Sequence, residues 1–167
     1  MLWVACENIV FADTQELGHI NIVLSGEVVV STCGVLESEK NKYVDLGIYS
    51  TKNLNMVGNK SITIPIPFNL RSCLPGVPIT LSFSGTQDEN DSELLAIDNT
   101  TNSAKNIAIE ILNPDKKRLP LNTKSQTLTA DQDGNFSTIF YANYVVTKNS
   151  ASPGVANASA QFTIQYD

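Results

Sequence analysis

The chain has 167 residues, 42% of them apolar, enough for one well-buried domain and too few for two comfortable ones. Its net charge of −6 and pI near 4.7, with Lys and Arg scattered except at Lys116-Lys117-Arg118, argue against a nucleic-acid partner. No apolar run approaches the ~20 residues that cross a bilayer, so no transmembrane segment is expected.

Residues 1–12 are apolar and end in Val10-Phe11-Ala12, which suits signal peptidase. They read as the remnant of an export signal with the mature chain starting near Asp13; the alternative is an ordinary apolar strand. Next comes an alternating stretch. Ile20, Ile22, Leu24, Gly26, Val28 and Val30 share one parity, and His19, Asn21, Ser25 and Glu27 the other, with Val23 and Val29 as exceptions. Counted on to Cys33 it exceeds the five or six residues of an average strand, and Gly26 divides it. The upstream half is expected to project as a free arm and the downstream half, residues 27–35, to join a sheet.

Residues 37–42 read as a polar loop and residues 43–47 as a short strand. Residues 61–68 alternate strictly, but Pro65 and Pro67 cannot donate to a ladder and place that strand at an edge or a break. Further strands are expected at 77–83, 94–97, 107–111 and 136–146, with turns at 74–76, 99–103 and 131–134. The last stretch, 158–167, sets Ala158, Ala160, Phe162, Ile164 and Tyr166 against Ser159, Gln161, Thr163, Gln165 and Asp167 without a fault. That is a core strand with one wet face, and the sequence given ends on it. Its far edge must be covered by an earlier strand or by another molecule, and the second is expected here. Short strands, frequent turns and no helical periodicity indicate an all-β sandwich or barrel.

Cys33 and Cys73 each belong to or follow a strand, which favours a bridge between neighbours in an oxidising compartment, with two buried free thiols as the alternative. One histidine and no close cysteine pair exclude a zinc site. Asp88, Glu89, Asp91 and Glu93 lack calcium-loop spacing and read as a solvated loop; Asp131-x-Asp133-Gly134 reads as a hairpin turn. His19, the single histidine, lies on the expected arm, a poor place to hold catalytic geometry, so no enzyme, metal or cofactor is expected. Asn99, Asn135 and Asn157 match the glycosylation sequon, a pattern common by chance.

Several motifs fall in a telling order: Gly26-Glu27-Val28-Val29 leading to Cys33, Val44-Asp45-Leu46-Gly47, Phe68-x-Leu70-x-x-Cys73, and Leu81-x-Phe83-x-Gly85. Ala104-x-Asn106-Ile107-x-Ile109, Phe140-x-Ala142-x-Tyr144, Pro153-Gly154 and the penultimate Tyr166 complete the series. Together they resemble the pilin subunits of bacterial chaperone–usher fimbriae, of the type 1 and P pilus kind. Pro65 and Pro67 depart from that pattern and leave the local strand pairing open.

The resemblance implies an incomplete immunoglobulin-like sandwich lacking its C-terminal strand and completed by donor-strand complementation. It implies an N-terminal extension at 13–26 and a single pilin domain at 27–167. Ile20, Ile22, Leu24, Gly26 and Val28 would be the donor strand. Gly154, Phe162, Ile164, Tyr166 and Asp167 would form the acceptor groove and chaperone-contacting strand, and Cys33–Cys73 the disulfide. The implied partners are a periplasmic pilus chaperone, an outer-membrane usher and neighbouring fimbrial subunits. The implied function is a structural subunit of a surface fimbria that mediates adhesion. A sugar-binding adhesin and a self-contained secreted immunoglobulin-like module are the competing readings.

Overall fold

Period-two alternation of apolar residues, not helix propensity, dictates nearly every element. The computed structural model describes residues 21–28 and 33–166. Its strands are β1 (Asn21–Val28), β2 (Asn41–Asp45), β3 (Ile64–Leu70), β4 (Pro78–Gly85), β5 (Leu95–Ala96), β6 (Ile107–Leu112), β7 (Leu128–Thr129), β8 (Phe136–Val146) and β9 (Ala158–Tyr166). They form two sheets, β2-β1-β9-β4-β7 and β3-β8-β6-β5. Inward residues of the two sheets meet in one core, as in an immunoglobulin-like sandwich. At its centre Phe68 (β3), Phe83 (β4), Phe140 (β8) and Phe162 (β9) pack edge to face, with ring centroids 5.0–6.1 Å apart.

Apart from the strand expected at 27–35, of which residues 29–32 lie outside the described residues, the expected strands appear close to their anticipated limits, and β3 is an edge strand, as its prolines require. Antiparallel pairing with β8 uses the inner side of β3, so Pro65 and Pro67 place their missing donors on the free side. The polar loop expected at 37–42 is instead one helical turn, α1 (Glu37–Lys40), running directly into β2. Residues 131–134 form a tight turn, not the expected hairpin, because β7 and β8 on either side lie in different sheets: Asp131 Oδ1 accepts the N–H groups of Asp133 and Asn135, and Gly134 takes φ +76°.

Cys33 and Cys73 are bonded, 40 residues apart in sequence. The bond is flanked by a two-residue antiparallel bridge, with Gly34 and Arg71 exchanging N–H···O bonds of 2.6 and 3.2 Å. Closing a loop of that length restricts the unfolded chain by up to about 4 kcal/mol in the loop-entropy treatment. For a domain of this size that corresponds to a fall in melting temperature of roughly 10 °C on reduction, checked by thermal unfolding with and without reductant.

The largest difference from expectation lies at the front of the chain. Residues 21–28 are not a free arm: they form β1, inserted between β9 and β2 in the first sheet. The strand also runs through the boundary expected between 26 and 27.

Candidate functional site

β9 buries Ala158, Ala160, Phe162 and Ile164 and turns Ser159 and Gln161 to solvent, following its sequence alternation. On one side it pairs with β4, antiparallel, placing Leu81 beside Ile164 and Phe83 beside Phe162. On its other side is a slot one strand wide, bounded beyond by β2. β1 occupies that slot, antiparallel to β2 and parallel to β9, with Ile22, Leu24, Gly26 and Val28 opposite Ala158, Ala160, Phe162 and Ile164.

The occupant fits by alternation. Ile22 and Leu24 are 1% and 0% exposed and join the core, while Ser25 faces solvent. Gly26 has a steric reason: a Cβ there would stand 2.2, 2.3 and 2.6 Å from Cζ, Cε2 and Cε1 of Phe162. The Phe162 ring thus takes the space a side chain at 26 would need. Phe162 in turn stacks edge-on against Phe68 at 5.0 Å, coupling the slot to the opposite sheet. Tyr166 lies at the far end of β9, opposite Ile79 of β4 and beyond the last described residue of β1. Burial pushes its phenol up from the ordinary tyrosine value, and its enclosed hydroxyl has no hydrogen-bond partner among the described residues.

Ile22, Leu24, Gly26, Phe162 and Ile164 are therefore brought together, and the backbone of Val28 completes the ladder. Gly154 stands elsewhere. It precedes β9, and a Cβ on it would meet Ala104 N at 2.3 Å and Asn102 O at 2.7 Å, so it pins the lead-in to β9 against the 102–104 backbone. Ile20 and Asp167 lie outside the described residues.

Sequence reasoning missed the outer wall of the slot. On β2, Val44 and Lys42 share the inward parity, and Lys42 lies opposite Leu24 of β1. The carboxylates singled out as alternatives have local roles. Asp88 Oδ1 accepts N–H groups of Asn90 and Asp91, while Asp91 and Glu93 pair with Arg118 at 2.9 and 3.0 Å. Arg118 also reaches the buried Glu110, tying that loop to the outer face of β6.

The fold is thus a two-sheet, immunoglobulin-like sandwich in which the first described strand lies beside the last. The chain belongs to the fimbrial protein family: the family model for "Fimbrial protein" matches residues 22–167. It is 40% identical over 153 residues to the fimbrial-like protein FimF of Salmonella typhimurium, covering 92% of this chain and 87% of the relative. It is 33% identical to the fimbrial subunit type 1 of the same species, over 87% of this chain and 82% of the relative. Among solved structures, it resembles a chain of a chaperone–usher pilus with TM-score 0.68 and 17% identity, covering 100% and 99% of the two chains. It also resembles the P pilus rod subunit PapA, with TM-score 0.61 and 18% identity over 82% and 100%. The chain is thus a fimbrial subunit of a pilus; fimbrial proteins are surface pilus components whose subunits assemble with one another, and its relatives are structural subunits rather than enzymes.

Proposed function

We propose that this subunit polymerises by donor-strand exchange, with β1 leaving its own slot and entering that of an adjacent subunit while the adjacent subunit's equivalent segment, or another donor, enters this one. In this reading a periplasmic chaperone fills the slot first, an outer-membrane usher directs the replacement, and the fibre mediates adhesion. Ile20, Ile22, Leu24, Gly26 and Val28 are the donor residues; Phe162, Ile164 and Tyr166 border the acceptor. Gly154 supports the acceptor strand from outside, and the Asp167 carboxylate is the chaperone's anchor.

The observation that carries this reading is the fit of β1, from the front of the chain, to the slot between β9 and β2. Burial of Ile22 and Leu24 supplies roughly 3–6 kcal/mol gross, before the cost of ordering the segment. The intramolecular strand is parallel to β9 and antiparallel to β2. A donor that entered antiparallel to β9 would run parallel to β2, so either direction gives one ladder of each kind and keeps the alternation. One front segment given and one slot filled per copy make a head-to-tail contact and an open fibre.

The position of β1 in its own slot favours a second reading, a closed immunoglobulin-like module that stays monomeric. Truncation separates them. Removal of residues 13–24 is expected to leave chaperone capture intact and to abolish fibre formation, scored by co-purification and electron microscopy. Fibres from that truncation would refute the donor role of β1.

A further inference from the structure

If β1 is exchanged, as that reading requires, β2 loses its one ladder partner, since it is the outermost strand of its sheet. Something else must then keep the outer wall of the slot in place for the incoming strand. The geometry points to Glu39 and Lys42 as a latch that holds β2 to β3 across the open side of the sandwich, independently of β1.

Lys42 points inward from β2, and its ammonium sits 4.8 Å from the centroid of the Phe68 ring on β3. Glu39, from the turn α1 that leads into β2, receives that ammonium on Oε2 at 2.8 Å. The same oxygen accepts the backbone N–H of Asn69 on β3 at 3.0 Å. With β1 in place the side chains of Lys42 and Glu39 are shielded, at 11% and 14% exposure, where an ion pair with charge-assisted hydrogen bonds is stronger than on an open surface. Asn69 has the same parity along β3 as Pro65 and Pro67, whose missing donors lie on the free edge. Glu39 thus takes the edge donor that follows the two prolines. The β3 edge is thereby closed to strand addition and used to anchor β2, and strand addition is confined to the slot beside β9. Phe68 extends the contact inward, since it is the ring that packs on Phe162 beneath Gly26.

Glu39 and Lys42 are positioning residues, so their test reads the wall itself as well as strand uptake. Full-length protein and its Glu39→Gln and Lys42→Met variants are compared by hydrogen exchange of the peptide covering 37–46, with the peptide covering 78–85 as reference. Uptake of a synthetic 17–28 peptide is timed on the same samples. Lys42→Met keeps the hydrocarbon on Phe68 and removes the charge. The latch predicts about tenfold faster exchange at 37–46 in both variants, the scale set by losing one shielded charge-assisted hydrogen bond, with 78–85 unchanged and peptide uptake slowed. Equal changes in both peptides, or none, overturn the latch. If the unaltered protein takes up no peptide, the exchange reading fails, and the 37–46 comparison still decides whether Glu39 and Lys42 hold the wall.

Discussion

Replacing Gly26 with valine is expected to expel β1 from its slot. The new Cβ alone would sit 2.2–2.6 Å from three atoms of the Phe162 ring, well inside contact distance. That ring is 1% exposed and backed by Phe68, so it has no free space to move into. Overpacking of a filled core commonly costs about 1–3 kcal/mol, and the valine adds two methyl groups beyond the clashing carbon. A loss of at least ~3 kcal/mol corresponds to a fall in melting temperature of roughly 6–12 °C for a domain of this length. The cause is separable from general damage by a double-mutant cycle. In a Phe162→Ala background the ring is gone and the valine has room, so the two changes should couple favourably by about 1–3 kcal/mol. Simple additivity of the two melts would mean that Gly26 matters for another reason. Because the clash belongs to the slot, the same valine in a synthetic 17–28 peptide should prevent its uptake by the unaltered protein.

Ile164→Asp should be more severe. Ile164 lies on β9 between Leu81 of β4 and the β1 position of Val28, with its side chain 1% exposed in the core. A carboxylate there must be buried in an apolar core either charged or protonated, and the aliphatic packing is lost as well. The expected destabilisation is on the order of 4 kcal/mol or more, measured as a shift in denaturant midpoint. In cells this should appear as loss of chaperone capture and of accumulated subunit. Gln161→Asp supplies the control: it sits on the same strand with its side chain on the wet face and should change stability by no more than about 0.5 kcal/mol. Similar losses in the two variants would count against a core-facing β9.

The alternation of Ala158 to Tyr166 fixed the face of β9 because period two admits only one assignment once Phe162 and Ile164 must be inside. The same rule located Ile22 and Leu24, and the paired prolines announced an edge strand. The partner of β1 was not legible. Its alternation fits any slot with an apolar floor, and whether the slot belongs to its own chain or to another depends on chain geometry that a local pattern does not carry. The sequence therefore suggested a free arm where the structure has β1 as the parallel neighbour of β9 within the same sheet, paired from Ile22↔Ala158 to Val28↔Ile164. The pilin resemblance places Gly154 at the groove, whereas in the structure its absent side chain makes room for the 102–104 backbone. Lys42 was hidden by its charge. A lysine between polar residues looks solvated, and only its shared parity with Val44 signalled that it points inward, where Glu39 and Phe68 receive it. The bond between Cys33 and Cys73 was suggested by residue placement, with free thiols left open until the sulfurs were seen joined.

The central claim is that the strand beside β9 can be traded for one from outside. Ser25 and Gln161 are paired across the β1–β9 ladder with both side chains exposed, which makes them suitable for a removable lock. A Ser25→Cys, Gln161→Cys protein, oxidised and checked by peptide mapping for the intended bond, is incubated with a labelled 17–28 peptide beside the unaltered protein. The account predicts that the unaltered protein takes up the peptide and gains several degrees in melting temperature, that the locked protein does neither, and that cleaving the engineered bond restores both. Uptake by the locked protein at the unaltered rate, or no uptake by either, would contradict it.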